Sequence, residues 1–193
     1  MQIDYFTRLG FPRRFFIDER ELDTRYRLLM RQCHPDFHQQ SSAADLQSSL
    51  AMSSEINQAY RVLSEPWQRA EYLFTLLGGS LDSSTQNLSS EFLEEMMEIR
   101  LSIASGEPEV IQKVAGNIQK KLSDGLDKLK EKFQKLTESV TELESVKKDK
   151  SPEDSVGSDN TAKIDTNRER LMSEIQKILR SSKFLRSILK DLK

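Results

Sequence analysis

Between residues 108 and 143, large apolar side chains recur at helical intervals with hardly a break. They are Ile111, Val114, Ile118, Leu122, Leu129, Phe133, Leu136, Val140 and Leu143. This spacing places them on one stripe of a long helix, and such a stripe is stable only when other elements cover it. The segment therefore predicts a helical bundle, for which the rest of the chain must supply partner helices.

Two more apolar stripes supply these partners. One consists of Phe92, Met96, Ile99 and Ile103, and the other of Leu171, Ile175, Ile178, Leu185, Leu189 and Leu192. Glycine and proline are scarce, and no apolar run alternates with a period of two, so strands have no support. We predict an all-α fold with an antiparallel three-helix bundle over residues 90–193. Thr166 and Glu169 are spaced as a capping box for the last helix, and the polar segment 145–165 is expected to be a flexible connection.

The first half of the chain predicts an antiparallel helical hairpin. Asp18 and Glu21 are spaced as a capping box, and the helix after them ends at His34-Pro35 because proline cannot continue it. The second helix spans about 43–63. Its predicted buried face consists of Leu46, Leu50, Ile56, Tyr60 and Leu63. The predicted domains are residues 1–76 and 90–193, joined by a linker at 77–89.

Composition argues against several classes of function. The 29 Lys and Arg residues are balanced by 31 Asp and Glu residues, and a net charge of −2 provides no field for nucleic acid. No apolar run approaches the roughly 20 residues that span a bilayer, and no signal peptide is recognisable. The single cysteine cannot form an internal disulfide and fits a reducing compartment. We expect a soluble, cytoplasmic, monomeric protein that binds neither nucleic acid nor membrane.

The segment RQCHPDFHQQ, residues 31–40, combines the only cysteine with both histidines. Its possible metal ligands are Cys33, His34, Asp36 and His38, and a metal-dependent enzyme built on them is one hypothesis. A closed zinc site needs four ligands, however, and the chain has no other cysteine or histidine. Cys33 also falls on the apolar stripe of its helix, where a small buried hydrophobe is expected. We predict no catalytic residue, no metal and no cofactor.

Recognition by another protein is the second hypothesis for this segment. Arg20, Arg27 and Arg31 share one face of the helix that leads into it, and a basic face steers a protein toward an acidic partner. The order of helix, His-Pro-Asp loop and second helix ending in AYRVLSEP (59–66) resembles a J-domain. J-domains are the parts of co-chaperones that stimulate the ATPase of DnaK-class chaperones.

Three longer segments extend the resemblance to the HscB-type J-proteins of iron–sulfur cluster assembly. They are DYFTRLGFP (4–12), INQAYRVLSEPWQRAEYLF (56–74) and FLEEMMEIR (92–100). The resemblance implies an N-terminal J-domain joined to a C-terminal three-helix bundle that binds the cluster-assembly scaffold protein. This sequence departs from the family in two places, because no lysine or arginine follows Asp36 and because the segment 145–165 is long and polar.

The resemblance also implies which residues bind each partner. The chaperone-binding residues would be His34, Pro35, Asp36, Arg20, Arg27 and Arg31. The scaffold-binding residues would be Leu93, Glu94, Met97, Glu98, Arg100 and Leu101, with Phe184 opposite them on the last helix. The predicted partners are a DnaK/HscA-class ATPase chaperone and the scaffold protein. A general J-protein with other clients is the alternative.

The residues offer independent but incomplete support for the scaffold-binding face. Leu93, Met97 and Leu101 are four residues apart and form a second apolar line beside the Phe92–Ile103 stripe. A helix with two apolar lines either touches two neighbours or exposes one line to a partner. Spacing alone does not distinguish these alternatives.

Overall fold

The computed structural model describes residues 3–33, 43–81, 89–148 and 158–192. In these ranges the chain forms helices and turns without a strand, so the predicted all-α class is confirmed. The helices are α1 (Tyr5–Arg8), α2 (Glu19–Gln32), α3 (Ala43–Ser64), α4 (Pro66–Leu76), α5 (Ser90–Ala104), α6 (Pro108–Lys148) and α7 (Ser158–Asp191). None of the described helices is long and apolar enough to cross a membrane.

The chain separates into two compact units. Residues 1–73 form the first unit and residues 74–193 form the second, so the boundary falls within α4. The division predicted from the sequence, with a linker at 77–89 between domains 1–76 and 90–193, remains a prediction. Each unit has its own apolar core and is described separately below.

The first unit is built on α2 and α3, with α1 and α4 packed in the same core. Asp18 caps α2, since one carboxylate oxygen accepts hydrogen bonds from the backbone N–H groups of Arg20 at 2.8 Å and Glu21 at 3.2 Å. The predicted start of this helix is therefore confirmed. The buried apolar residues of the unit are Phe6, Leu9, Phe11, Phe15, Ile17, Leu22, Ile56, Ala59, Leu63, Trp67, Ala70 and Leu73.

Asp4 holds the short helix α1 in place. Its carboxylate accepts hydrogen bonds from the Thr7 backbone N–H at 3.1 Å and hydroxyl at 2.9 Å, and from Arg13 Nη2 at 2.8 Å. Burial by itself raises the pKa of this carboxyl, but the bonds from Arg13 and Thr7 outweigh it and hold the pKa below its usual value. The charged form of Asp4 therefore stabilises the fold.

We expect Asp4→Asn to lower the free energy of unfolding by about 1 kcal/mol at neutral pH, because asparagine keeps the cap but loses the charge. The folded pKa lies below the unfolded one, so this contribution is complete above about pH 4 and is lost as pH falls through the folded pKa. Urea denaturation of both proteins between pH 7 and pH 3 measures it. A difference between the two proteins that stays constant down to pH 3 would contradict this role for Asp4.

Polar contacts join α2 to α3 along the hairpin. The Tyr26 hydroxyl donates to Asn57 Oδ1 at 2.8 Å, and the Tyr60 hydroxyl donates to Asp23 Oδ1 at 2.6 Å. The rings of Tyr26 and Tyr60 stack with their centroids 4.1 Å apart. Both tyrosines are half-buried, so Tyr60, which the sequence placed on the buried face of α3, reaches the surface through its hydroxyl group.

The predicted buried face of α3 is wrong at its first two members. Leu46 and Leu50 are 43% and 58% exposed. The line that packs on α2 instead runs through Ser49, Ile56 and Leu63, which are all buried and seven residues apart. Leu46 and Leu50 lie about 60° and 100° from that line, because each residue advances by 100° around the helix.

The second unit is a bundle of α5, α6 and α7, as predicted. Its buried apolar residues are Met96, Ile118, Leu122, Leu129, Phe133, Leu136, Leu171, Ile175, Leu179 and Leu185, together with Phe74 from the end of α4. Leu179 takes the fully buried position that the sequence assigned to its neighbour Ile178, which is half-buried. An ion pair between Lys132 and Glu174 joins α6 to α7 at the edge of this core.

The last helix begins earlier than the sequence predicted. Because α7 starts at Ser158, Thr166 lies inside the helix and does not cap it. The predicted flexible connection at 145–165 is also wrong at both ends, since residues 145–148 belong to α6 and residues 158–165 belong to α7, while residues 149–157 lie outside the described residues. A helix that is nucleated by a packed segment extends through polar residues at little cost, and Ser158 is of a type favoured at helix starts.

Candidate functional site

The outer face of α5 is exposed and largely apolar. Ser89 caps the helix, accepting a hydrogen bond from the Phe92 backbone N–H at 3.2 Å, and Met96 points into the bundle core. On the other side, Leu93, Met97 and Leu101 are 47%, 66% and 69% exposed. The second apolar line of α5 is thus free for a partner. Of the two alternatives that spacing left open, contact with two neighbours is therefore excluded for this line, and binding of a partner there remains a prediction.

Charged residues surround this apolar line. Glu94, Glu98 and Arg100 are all exposed on α5, whereas Glu95 faces α6 and pairs with Lys121. The Glu95–Lys121 pair joins α5 to α6 and so helps to fix the position of the outer face of α5. Acidic groups beside exposed leucine and methionine side chains are typical of the polar rim around a protein-binding patch.

A groove of about 670 Å³ lies between α5 and α7. At its wall, the Phe92 and Phe184 rings meet edge to face, with centroids 6.3 Å apart. Its lining residues are Phe92, Leu93, Met96, Met97, Arg100, Ile103, Phe184, Ser187, Ile188, Asp191 and Leu192. Phe184 therefore lies opposite α5, in the position that the family resemblance implied for it.

The groove unites some of the predicted scaffold-binding residues and adds others. Leu93, Met97, Arg100 and Phe184 line it together, while Glu94, Glu98 and Leu101 lie outside its lining. Sequence reasoning did not place the α7 residues beyond Phe184 in this site, because it left out Ile188 and assigned Leu192 to the apolar stripe of the bundle. Ile188 and Leu192 follow Phe184 at four and eight positions, and this spacing was a readable signal that they share its side of the helix.

The predicted basic face of α2 is present. Arg20, Arg27 and Arg31 are all exposed on α2. Arg25 has a different role, because it pairs with Glu21 at 2.5 Å and lies over the Phe11 ring at 4.2 Å. The structure thus separates the three outward arginines from one that holds the fold together.

The His-Pro-Asp segment itself lies outside the described residues, as does His38. Cys33, the last described residue before it, ends α2 and is half-buried rather than fully buried as predicted. The Cys33 carbonyl accepts hydrogen bonds from the hydroxyls of Ser49 at 2.5 Å and Ser53 at 3.3 Å. These bonds attach the end of α2 to the first turns of α3. In the described part of the chain, no three His, Cys, Asp or Glu side chains are grouped to hold a metal ion.

Comparison with known proteins identifies the first unit. Residues 4–72 match the DnaJ domain family, so the chain carries a J-domain. Co-chaperone protein HscB of Proteus mirabilis is 39% identical over 99 residues, which are 51% of this chain and 57% of that protein. The Co-chaperone protein HscB homolog of Chromobacterium violaceum is 38% identical over 110 residues, 55% of this chain and 62% of that protein. The match thus spans less than two thirds of either relative.

Two solved structures have a fold similar to that of this protein over nearly its whole length. The crystal structure of human co-chaperone protein HscB has a TM-score of 0.76 at 23% identity and covers 99% of this chain and 81% of that chain. Chaperone HscB from Vibrio cholerae has a TM-score of 0.65 at 19% identity and covers 98% of this chain and 95% of that chain. The two structures share the fold of this chain, and the predicted resemblance to HscB-type J-domain co-chaperones is confirmed.

Proposed function

We propose that this protein is a co-chaperone in iron–sulfur cluster biogenesis. It stimulates ATP hydrolysis by a DnaK/HscA-class chaperone and delivers the cluster-assembly scaffold protein to that chaperone. The exposed apolar line of α5, in a chain that also carries a J-domain, is the observation on which the proposal rests. A helix that served only its own bundle would not need this second line.

The chaperone contact belongs to the J-domain in this proposal. The exposed arginines of α2 raise the rate of encounter with an acidic surface of the chaperone, because opposite charges steer approaching proteins. His34, Pro35 and Asp36 then engage the ATP-bound chaperone. They favour hydrolysis only to the extent that they bind the hydrolysis-competent state more tightly than the other states.

The scaffold contact belongs to the α5–α7 groove. Leu93, Met97 and Phe184 supply apolar surface for the centre of an interface, and Arg100 lies beside them as a hydrogen-bond donor. Glu94, Glu98 and Leu101 extend the contact along the exposed side of α5. An apolar centre with a charged rim fits a folded protein that presents a complementary surface.

Neither surface needs a catalytic group, a metal or a cofactor, and the protein acts in this proposal as a monomeric adaptor in the cytoplasm. The two curated relatives support an adaptor role, since both are named as co-chaperones. Chemistry enters only through the ATPase of the chaperone partner.

Single-turnover ATP hydrolysis by the DnaK-class chaperone tests the proposal. We expect this protein and the scaffold, added together, to accelerate hydrolysis by more than the product of their separate effects, because the adaptor brings both to one chaperone molecule. Stimulation by this protein without any synergy would instead indicate a general J-protein with other clients. No stimulation at all would refute the co-chaperone function.

A further inference from the structure

Two exposed leucines on α3 have no role in the functions described so far. Leu46 and Leu50 are four residues apart, so their side chains are neighbours on the helix surface and form one apolar patch. Glutamine or lysine would support an exposed helix position almost as well as leucine does. The buried line of α3 runs elsewhere, through Ser49 and Ile56, so packing inside the unit does not require these leucines.

The contacts of α3 define which flank of the hairpin carries the patch. Asn57, about 80° from the buried line, accepts a hydrogen bond from Tyr26 of α2 on the same side as Leu46 and Leu50. Met52 lies on the opposite side of α3, where Arg8 of α1 contacts its sulfur. The leucine patch is therefore on the flank that faces away from α1.

The same flank of the hairpin leads to the basic face of α2. Arg27 follows Tyr26 directly, and Arg31 lies one turn further toward the end of the helix. The bonds from Ser49 and Ser53 to the Cys33 carbonyl place the first turns of α3 against this end of α2. Since packed helices lie about 8–10 Å apart, the leucine patch lies near Arg31 at this end of the hairpin, whereas Arg27 is level with Asn57, further along α3.

A partner bound to these arginines would also cover the patch. A stable protein contact buries roughly 800 Å² on each partner, a footprint about 30 Å across. The bonds from Ser49 and Ser53 hold the first turns of α3 against Cys33, two residues after Arg31, so a footprint centred on Arg31 takes in this part of α3. Because the arginine charge lies beside apolar leucines, this surface is complementary to a partner that has an acidic patch next to an apolar one.

From this arrangement we infer that Leu46 and Leu50 are an apolar part of the chaperone-binding surface, formed by α3 and adjoining the Arg31 end of the basic face of α2. This inference rests on the proposed function, because the occupant is the same DnaK-class chaperone. A second copy of this chain is a poorer occupant, since two leucine side chains supply only a small part of the area that a stable dimer buries.

The double variant Leu46→Gln/Leu50→Gln tests the inference. We expect the concentration that gives half-maximal stimulation of the chaperone ATPase to rise about tenfold, because two leucines no longer lose their contact with water on binding. The maximal stimulated rate should stay the same, since the patch adds affinity and does not act on hydrolysis. Both side chains are exposed, so the thermal midpoint should change little.

Met52→Gln is the matched control, because Met52 is 41% exposed on the same helix but lies on the other flank. It should leave the half-maximal concentration unchanged. If the glutamine pair impairs folding, Leu46→Ala/Leu50→Ala removes the same apolar surface with residues that favour helix, and the same shift is expected.

Three results would overturn the inference, and they are distinguishable. Equal half-maximal concentrations for the wild type and the double variant would refute the patch while leaving the co-chaperone function intact. A wild type that does not stimulate the chaperone would refute both. A wild-type dimer in sedimentation that the double variant dissociates would assign the patch to a second copy of this chain.

Discussion

Replacing His34 by glutamine should abolish stimulation of the chaperone ATPase while leaving the helices of the protein intact. Glutamine is polar and similar in size, and the fold around this position is held by groups that the substitution does not change. The Cys33 carbonyl keeps its bonds to Ser49 and Ser53, and Tyr26 keeps its bond to Asn57. The expected loss is therefore functional.

The expected size follows from how an adaptor can act on an ATPase. Stimulation is a coupling between the J-domain and the hydrolysing state of the chaperone, and such couplings amount to about 5–150-fold. If His34 carries the contact that distinguishes this state, its removal returns hydrolysis to the basal rate. Single-turnover hydrolysis with a saturating amount of the variant measures this, with circular dichroism as the check on folding.

Cys33→Ala is the matched control for His34→Gln. Cys33 is the neighbouring residue and is half-buried, but the interaction that it makes with α3 uses its backbone carbonyl. Alanine preserves this carbonyl, so stimulation should persist. Equal loss of helicity and stimulation in His34→Gln would mean that the segment is structural. Stoichiometric zinc or iron in the purified protein would favour the metal-site hypothesis for Cys33, His34 and His38 instead.

Leu93→Ala/Met97→Ala should weaken binding of the scaffold protein by about 30- to 700-fold. Truncation of a well-placed apolar side chain at the centre of an interface costs about 1–2 kcal/mol, and the two residues lie side by side in the α5–α7 groove. Isothermal titration calorimetry with the scaffold measures the loss. The variant should also lose synergy with the scaffold in the ATPase assay, while it stimulates the chaperone normally on its own.

The control for this variant is Met52→Ala, which removes an exposed methionine from α3 and should leave scaffold binding unchanged. Leu93 and Met97 are so exposed that their truncation should not unfold the bundle, whose core holds Met96, Ile118 and Leu185 instead. Unchanged affinity in Leu93→Ala/Met97→Ala would remove the groove from the proposed function.

The long helices and the second apolar line of α5 were accessible to sequence reasoning for the same physical reason, whereas a scaffold-binding role for that line was implied only by the resemblance to HscB-type J-proteins. The 100° rotation per residue assigns side chains to faces, and it placed Met96 on one side of α5 and Leu93 and Met97 on another. Which of two apolar faces is buried depends on where the other helices pack. In α5 the Met96 side is buried. In α3 the line through Ser49 and Ile56 is buried, and Leu46 and Leu50 are exposed.

Helix ends show the same division between local and tertiary causes. Asp18 could be identified as the cap of α2 because capping depends on a side chain and two backbone groups within three residues. The start of α7 at Ser158 could not, because a polar segment becomes helical when the packed helix that follows it supplies the nucleus. Thr166 has the spacing of a cap but lies inside that helix.

Periodicity and local capping in the sequence determined the all-α class, the hairpin with its basic α2 face, and the apolar stripes of the bundle. Only the tertiary structure decided that Leu93, Met97 and Phe184 meet at one groove and that Leu46 and Leu50 remain outside the core. The physical reason is that an apolar stripe in the sequence shows only how much apolar surface a helix has and on which face. Whether that surface is covered depends on neighbours that are distant in the chain.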